Sequence, residues 1–65
     1  MRVYISYEAE GRTCYREVLG KSLDDALDCL EFYLSWQQPY LTIVRMTAVE
    51  IGLDGKPRGK VKVRT

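Results

Sequence analysis

Apolar and polar residues alternate along much of this chain with a period of two, which is typical of half-buried strands. The strands that this alternation predicts span residues 2–8, 13–19 and 60–64. A further β-rich run, residues 40–51, exceeds an ordinary strand length, and its apolar series is interrupted at Arg45 and Thr47. A β-bulge near Arg45 or Met46 would restore a single inward face, so we expect one there.

Residues 22–38 are the only stretch with a helical period. Ser22 suits the N-cap, because its hydroxyl can accept a hydrogen bond from the first turn. Asp24 and Asp25 then lie at the positive end of the helix dipole, and Pro39 ends the helix because it lacks an amide hydrogen. The predicted inner stripe consists of Leu23, Ala26, Leu27, Leu30, Tyr33 and Leu34.

The element order is therefore β-β-α-β-β, which predicts an α+β fold in a single domain, residues 1–65. We expect an antiparallel sheet of three to four strands, covered by one helix. In the second strand, Tyr15 and Leu19 are expected to face the helix. In the last strand, Val61 and Val63 are expected to point inward. Its outward, basic face would then consist of Lys60, Lys62 and Arg64.

Catalytic chemistry finds little support in this composition. The chain has no histidine, so it lacks the commonest general base and the commonest transition-metal ligand. The glycine-rich loop at residues 52–59 lacks the spacing of a phosphate-binding motif. Cys14 and Cys29 are predicted to be reduced, partly buried thiols in a cytoplasmic protein, and a single disulfide between them is the alternative. No apolar run approaches the ~18 residues that span a bilayer. We expect a non-enzymatic protein without metal, cofactor or membrane partner.

Two large aromatic residues of the helix, Phe32 and Trp36, lie four positions apart and away from the inner stripe. They are accompanied by Asp25, Asp28 and Glu31. Such a grouping indicates a contact patch for another protein. The alternative is that the C-terminal strands or a dimer partner cover the two aromatic side chains.

Charge is distributed unevenly although the net charge is only +1. Residues 22–31 carry four acids and no base, and residues 55–65 carry five bases and no acid. The basic residues could follow a phosphate backbone, and they are Lys56, Arg58, Lys60, Lys62 and Arg64. Tyr4, Tyr7 and Tyr15 could stack on bases if they are exposed. Nucleic-acid binding is therefore the alternative function.

A resemblance to a known family appears at the centre of the chain. The strand pair leads into Ser-Leu-Asp-Asp-Ala-Leu at residues 22–27, followed by Glu31-Phe32 and by Thr-Ile-Val-Arg at 42–45. This arrangement resembles the small podovirus inhibitors of bacterial RNA polymerase over about residues 3–47. Those inhibitors begin their helix with Thr-Leu-Asp-Glu-Ala-Leu and carry Glu-Trp where this chain has Glu-Phe.

The resemblance implies a phage-like protein that inhibits transcription by occupying the DNA-entry cleft of the polymerase. It also implies contacts through arginines on the strand after the helix, of which Arg45 matches the first, whereas Thr47 stands at the second position. The predicted partner-binding residues are Asp25, Asp28, Phe32, Trp36 and Arg45. A homodimer joined by open sheet edges or by the aromatic flank of the helix is a third hypothesis.

Overall fold

The computed structural model describes residues 1–65 and contains four strands and one helix. The elements are β1 (Arg2–Ala9), β2 (Arg12–Leu19), α1 (Leu23–Gln37), β3 (Ile43–Ile51) and β4 (Pro57–Arg64). The strands form one antiparallel sheet in the order β2-β1-β3-β4, and α1 packs across β1, β2 and β3 on one face. The predicted α+β fold and element order are confirmed.

A two-residue turn fixes the register between β1 and β2. Glu10 and Gly11 both have positive φ angles, 53° and 74°, as a type I′ turn requires. Ala9 is therefore opposite Arg12, and the pairing continues without a shift to Arg2 opposite Leu19. Because side chains alternate along a strand, this turn also decides which residues of β2 face the helix.

The predicted bulge is confirmed on β3. Ala9 of β1 lies opposite Ile43, but Glu8 lies opposite Arg45, so Val44 is the extra residue. The pairing of β3 with β4 has a second irregularity, a register shift between Ala48 and Glu50. The bulge at Val44 places Ile43 on the same side as Met46 and Ala48, toward the core. Val49 and Ile51 lie on the opposite face, so the expected single inward face for the whole run was wrong.

The helix begins and ends where the sequence predicts. The Ser22 hydroxyl accepts a hydrogen bond from the Asp25 amide at 3.0 Å, and the Asp25 carboxylate accepts one from the Lys21 amide at 2.9 Å. At the other end, the Gln38 amide donates to the Leu34 carbonyl, and Pro39 follows. Asp25 is thus part of the helix start.

The core lies between α1 and the inner face of β1 and β3. Its ten buried residues are Val3, Ile5, Tyr7, Ala9, Ala26, Leu27, Leu30, Leu34, Met46 and Ala48. Leu23 packs at its margin, but Tyr33 is 51% exposed, so its assignment to the inner stripe was wrong. Tyr33 lies over β2, where the sheet ends and no further strand covers its ring.

The predicted orientation of β2 was also wrong. Cys14 and Val18 pack against the core, whereas Tyr15 and Leu19 lie exposed on the face away from the helix. The hairpin register explains the difference, because it places Cys14 opposite the buried Tyr7. Both faces of β2 carry apolar and polar residues, so its sequence pattern alone does not predict which face is inward.

The orientation of β4 is the reverse of the prediction as well. Lys62 and Arg64 face the helix, and Val61 and Val63 lie about half exposed on the opposite face. Met46 opposite Arg64 sets this register. The physical reason is electrostatic, since the acidic flank of α1 lies above this edge of the sheet and binds both basic side chains.

Candidate functional site

The two aromatic residues predicted to form a contact patch are exposed and adjacent on α1. The Phe32 and Trp36 rings have centroids 6.4 Å apart and are tilted by 58°. Their side chains are 68% and 73% exposed, and no strand covers them. We call Phe32 and Trp36 the aromatic strip. It is an apolar feature on the solvent side of the helix.

The acids of α1 bind basic residues of β4. The Arg64 guanidinium donates hydrogen bonds to Asp28 at 2.7 Å and to Asp24 and Glu31 at 3.0 Å each. Lys62 lies 3.5 Å from Asp24. The hydrogen bonds that Arg64 donates to Glu31 and Asp28 raise the pKa of Arg64 above its ordinary value. We call these five residues the ion cluster.

The ion cluster changes the interpretation of the predicted partner-binding residues. Asp28 belongs to the cluster, and Asp25 to the helix start. Arg45 alternates with the buried Met46 and lies opposite Glu8, so it is on the sheet face away from the helix. The structure therefore brings Asp28 and the aromatic strip together on α1. Arg45 lies apart from them on β3, at the border of a cleft between α1 and β3.

The basic residues of the C-terminal hairpin divide into two groups. Lys62 and Arg64 are neutralised in the ion cluster. Lys56, Arg58 and Lys60 are exposed and have no carboxylate within ion-pair distance. The sequence alone did not reveal this division, because the pairing joins residues 33 to 40 positions apart.

The tyrosines considered for base stacking are also divided. Tyr4 and Tyr15 stack on each other on the open face of the sheet, with ring centroids 5.7 Å apart and planes 22° apart. Tyr7 is buried beneath the helix, and this burial raises the pKa of its hydroxyl. Tyr7 is therefore not available to a ligand, whereas Tyr4 and Tyr15 are.

Both cysteines are free thiols, Cys14 half-buried and Cys29 exposed. The prediction of partial burial holds for Cys14 only. Cys29 lies on the flank of α1 opposite the ion cluster, above β2.

A shallow groove of about 380 Å³ runs between that flank of α1 and β2. Its lining residues are Arg16, Glu17, Val18, Cys29, Leu30 and Tyr33. We call it the β2 groove. Sequence reasoning missed it because Tyr33 was assigned to the core, and its helical spacing to Cys29 was the only available signal.

The largest open cleft, about 440 Å³, lies between the C-terminal end of α1 and β3. Its charged lining residues are Glu31, Arg45 and Arg64, and Glu31 and Arg64 bind each other. Glu31 and Arg64 are thus engaged in holding α1 to β4, whereas Arg45 makes no ion pair.

The helix of this protein is too short and too polar to cross a membrane. Comparisons with protein-family models, with curated proteins and with solved structures find no match to this chain. The resemblance to phage polymerase inhibitors stays a prediction from the sequence.

Proposed function

We propose that this protein is a non-enzymatic interaction module that binds a larger host protein in the cytoplasm. The observation that carries the proposal is the aromatic strip, two adjacent rings about 70% exposed on the outside of a short helix. Trp and other aromatic residues are enriched at the centres of protein interfaces, where they supply most of the binding free energy.

The strip is held in place before any partner arrives. Leu30 and Leu34 anchor the inner side of α1 in the core, and the ion cluster fixes its β4 flank. A partner therefore does not have to order the helix on binding, which lowers the entropic cost of association. This preorganisation supports stoichiometric binding by a small rigid body.

Bacterial RNA polymerase is the concrete host protein that we propose, and inhibition of transcription is the proposed outcome. The support is the resemblance of residues 22–27 and 42–45 to phage inhibitors of that enzyme. The helix acids Asp24, Asp28 and Glu31 are already paired with Lys62 and Arg64. We therefore assign the contact to the aromatic strip.

Polymerase binding and transcription inhibition test the proposal directly. The test variant is Phe32→Ala/Trp36→Ala, and the matched control is Tyr40→Ala, which removes an exposed aromatic residue outside the strip. We expect wild type and the control to bind purified polymerase and the double variant to bind at least ~10-fold more weakly. Wild type that does not bind, or a double variant that binds equally well, would contradict the proposal.

Nucleic-acid binding is a second candidate, favoured by the unpaired charges of Lys56, Arg58 and Lys60. Neutralising these three residues should remove most of the affinity and flatten its dependence on salt by roughly two to three in log-log slope. Neutralising Lys62 alone is the control, because that charge is already paired. A chain that shifts neither DNA nor RNA at low salt would exclude this candidate.

A further inference from the structure

The free edge of β2 presents an uninterrupted series of main-chain donors and acceptors. Met1 and Gly20 exchange both of their main-chain hydrogen bonds, at 2.8 and 3.0 Å, just beyond the end of β2. Hydrogen-bonded and non-bonded pairs alternate along an antiparallel ladder. Thr13, Tyr15 and Glu17 therefore direct their N–H and C=O groups away from β1, into solvent.

The other edge of the sheet is protected. β4 begins with Pro57, which has no amide hydrogen, and Gly59 has a φ angle of 75° where the ladder with β3 is irregular. Lys60 adds a charge at the same place. Proline, irregular pairing and lysine are the usual ways in which proteins prevent an edge strand from pairing with another chain. β2 has no proline and no bulge.

We propose that two copies of this chain pair through their β2 strands, antiparallel, about a two-fold axis at Tyr15. The product is a continuous eight-stranded sheet with both helices on one face. This inference goes beyond the proposed function and does not depend on it, because it uses the β2 edge and the β2 groove rather than the aromatic strip.

Charge excludes the neighbouring registers. Residues opposite each other in an antiparallel pair lie on the same face of the sheet. The two-fold axis must therefore pass between one residue and its own copy. An axis at Cys14 would oppose Arg12 and Arg16, and an axis at Arg16 would oppose that residue and its own copy. An axis at Glu17 would oppose two glutamates. Like charges directly opposite each other are destabilising.

The axis at Tyr15 opposes no like charges and still uses nearly the whole strand. It provides about six main-chain hydrogen bonds. The opposing pairs are Arg12 with Val18, Thr13 with Glu17, Cys14 with Arg16, and Tyr15 with its own copy. On the open face, this register aligns Tyr4 and Tyr15 of one copy with the same two residues of the other.

Side chains of α1 can fill the space above the joined strands. The helix packs across β2, β1 and β3. For a helix axis above the middle strand, β1, strands about 4.8 Å apart would place the two helices roughly 14 Å from each other. That distance exceeds the 8–10 Å of direct helix packing. Tyr33 and Cys29 project from this flank, and Tyr33 is large enough to reach across the gap. The apolar side chains of the β2 groove would thus be partly buried by the second copy.

The pairing closes on itself as a dimer. A chain with two free edges would extend into a fibre, but the protected β4 edge leaves only one edge available. Both aromatic strips would lie on the helix side of the assembly, so a partner could contact two strips at once.

Sedimentation of the purified chain over a wide concentration range tests the association. Thr13→Pro removes an outward amide hydrogen and leaves the ladder with β1 intact, and Thr13→Ala is the matched control. We expect wild type and the control to sediment at twice the chain mass, with Thr13→Pro dissociating at least about tenfold more readily. A wild type that is monomeric throughout, or a folded Thr13→Pro variant that dimerises normally, overturns the proposal.

Disulfide trapping tests the register and does not depend on the proline variant folding. In a Cys14→Ser/Cys29→Ser background, Tyr15→Cys should form a covalent dimer, because opposing Cα atoms in a hydrogen-bonded pair are about 5.5 Å apart. Thr13→Cys alone should not, since its two copies would be roughly 14 Å apart. Thr13→Cys mixed with Glu17→Cys should form a bridge. Failure of both expected bridges, or efficient bridging by Thr13→Cys alone, overturns the register.

Discussion

The side chains on the two flanks of α1 differ in whether they have partners within the chain. On the β4 side, three carboxylates of the helix are bound by Arg64 and Lys62 of the same chain. On the β2 side, Cys29 and Tyr33 border an open groove. The strand below, β2, is at the edge of the sheet and has main-chain groups without a partner. One flank is complete within the monomer, and the other is not.

This difference shows where to look for a binding surface. Charged residues that the sequence suggested for an interface are used to hold the helix to β4, so exposure of charge was a poor guide. Apolar side chains beside a free strand edge have no partner in the chain. The β2 side and the adjacent aromatic strip are therefore the surfaces that another molecule would complete.

The largest expected effect is the difference in stability loss between a core residue and an exposed residue of α1. Leu34→Ala should reduce the free energy of unfolding by about 2–5 kcal/mol, because Leu34 is fully buried in the core. Trp36→Ala, two positions later, should change it by less than about 0.5 kcal/mol. Urea unfolding followed by circular dichroism measures both values. A large loss for Trp36→Ala would mean that the strip belongs to the core.

Charge reversal at Arg64 should break the β4 flank. Arg64→Glu places a fourth carboxylate beside Asp24, Asp28 and Glu31, and we expect a loss of about 2 kcal/mol. The loss should shrink as salt is added, because added ions screen the repulsion. Lys60→Glu is the control and should cost less than about 0.5 kcal/mol. Equal effects of the two reversals would show that the ion cluster contributes nothing.

A smaller loss of stability should show how much the shape of the Arg64 side chain contributes to the ion cluster beyond its charge. Arg64→Lys keeps the positive charge but lacks the planar fork that reaches three carboxylates, so we expect a loss of about 0.5–1 kcal/mol. Lys62→Ala should cost less, since Lys62 is half exposed and has one partner at 3.5 Å. Thermal unfolding of both variants shows which one loses more stability. A larger loss for Lys62→Ala would mean that Lys62, rather than Arg64, holds the β4 flank of the helix.

The smallest effect concerns the ion pair between Arg2 and Glu17 on β1 and β2. The hydrogen bond from Arg2 lowers the pKa of Glu17 below its ordinary value. This pair therefore adds stability above the unfolded-state pKa of Glu17, and the addition is lost as the pH falls through the folded-state pKa. An NMR titration should show the lowered pKa, and Arg2→Met should restore it. An unchanged pKa in the variant would contradict this cause.

Much of the fold followed from local sequence features. The Ser22 cap, Pro39 and the apolar spacing between them predicted the helix within one residue at each end. The broken parity around Arg45 predicted the bulge, which occurs at Val44. These predictions succeeded because capping, proline geometry and side-chain periodicity act within a few residues of the chain.

The candidate site was predicted less completely. Phe32 and Trp36 were identified as exposed neighbours, because residues four apart on a helix share a side. The β2 groove and the free β2 edge were not located, since both depend on which strand occupies the edge of the sheet. The sheet face on which Arg45 lies was not predicted, because one extra residue in a strand redirects those that follow.

The sequence by itself determined the order of the elements, the ends of α1 and all of its apolar stripe except Tyr33, because these depend on interactions between near neighbours. Only the tertiary structure decided which faces of β2 and β4 turn toward α1. The two faces of β2 are similar in character, whereas β4 has an apolar face and a basic face. In either strand a shift of one residue exchanges the faces. The choice was made by a tight turn at Glu10 and Gly11 for β2 and by attraction between Arg64 and a distant helix for β4.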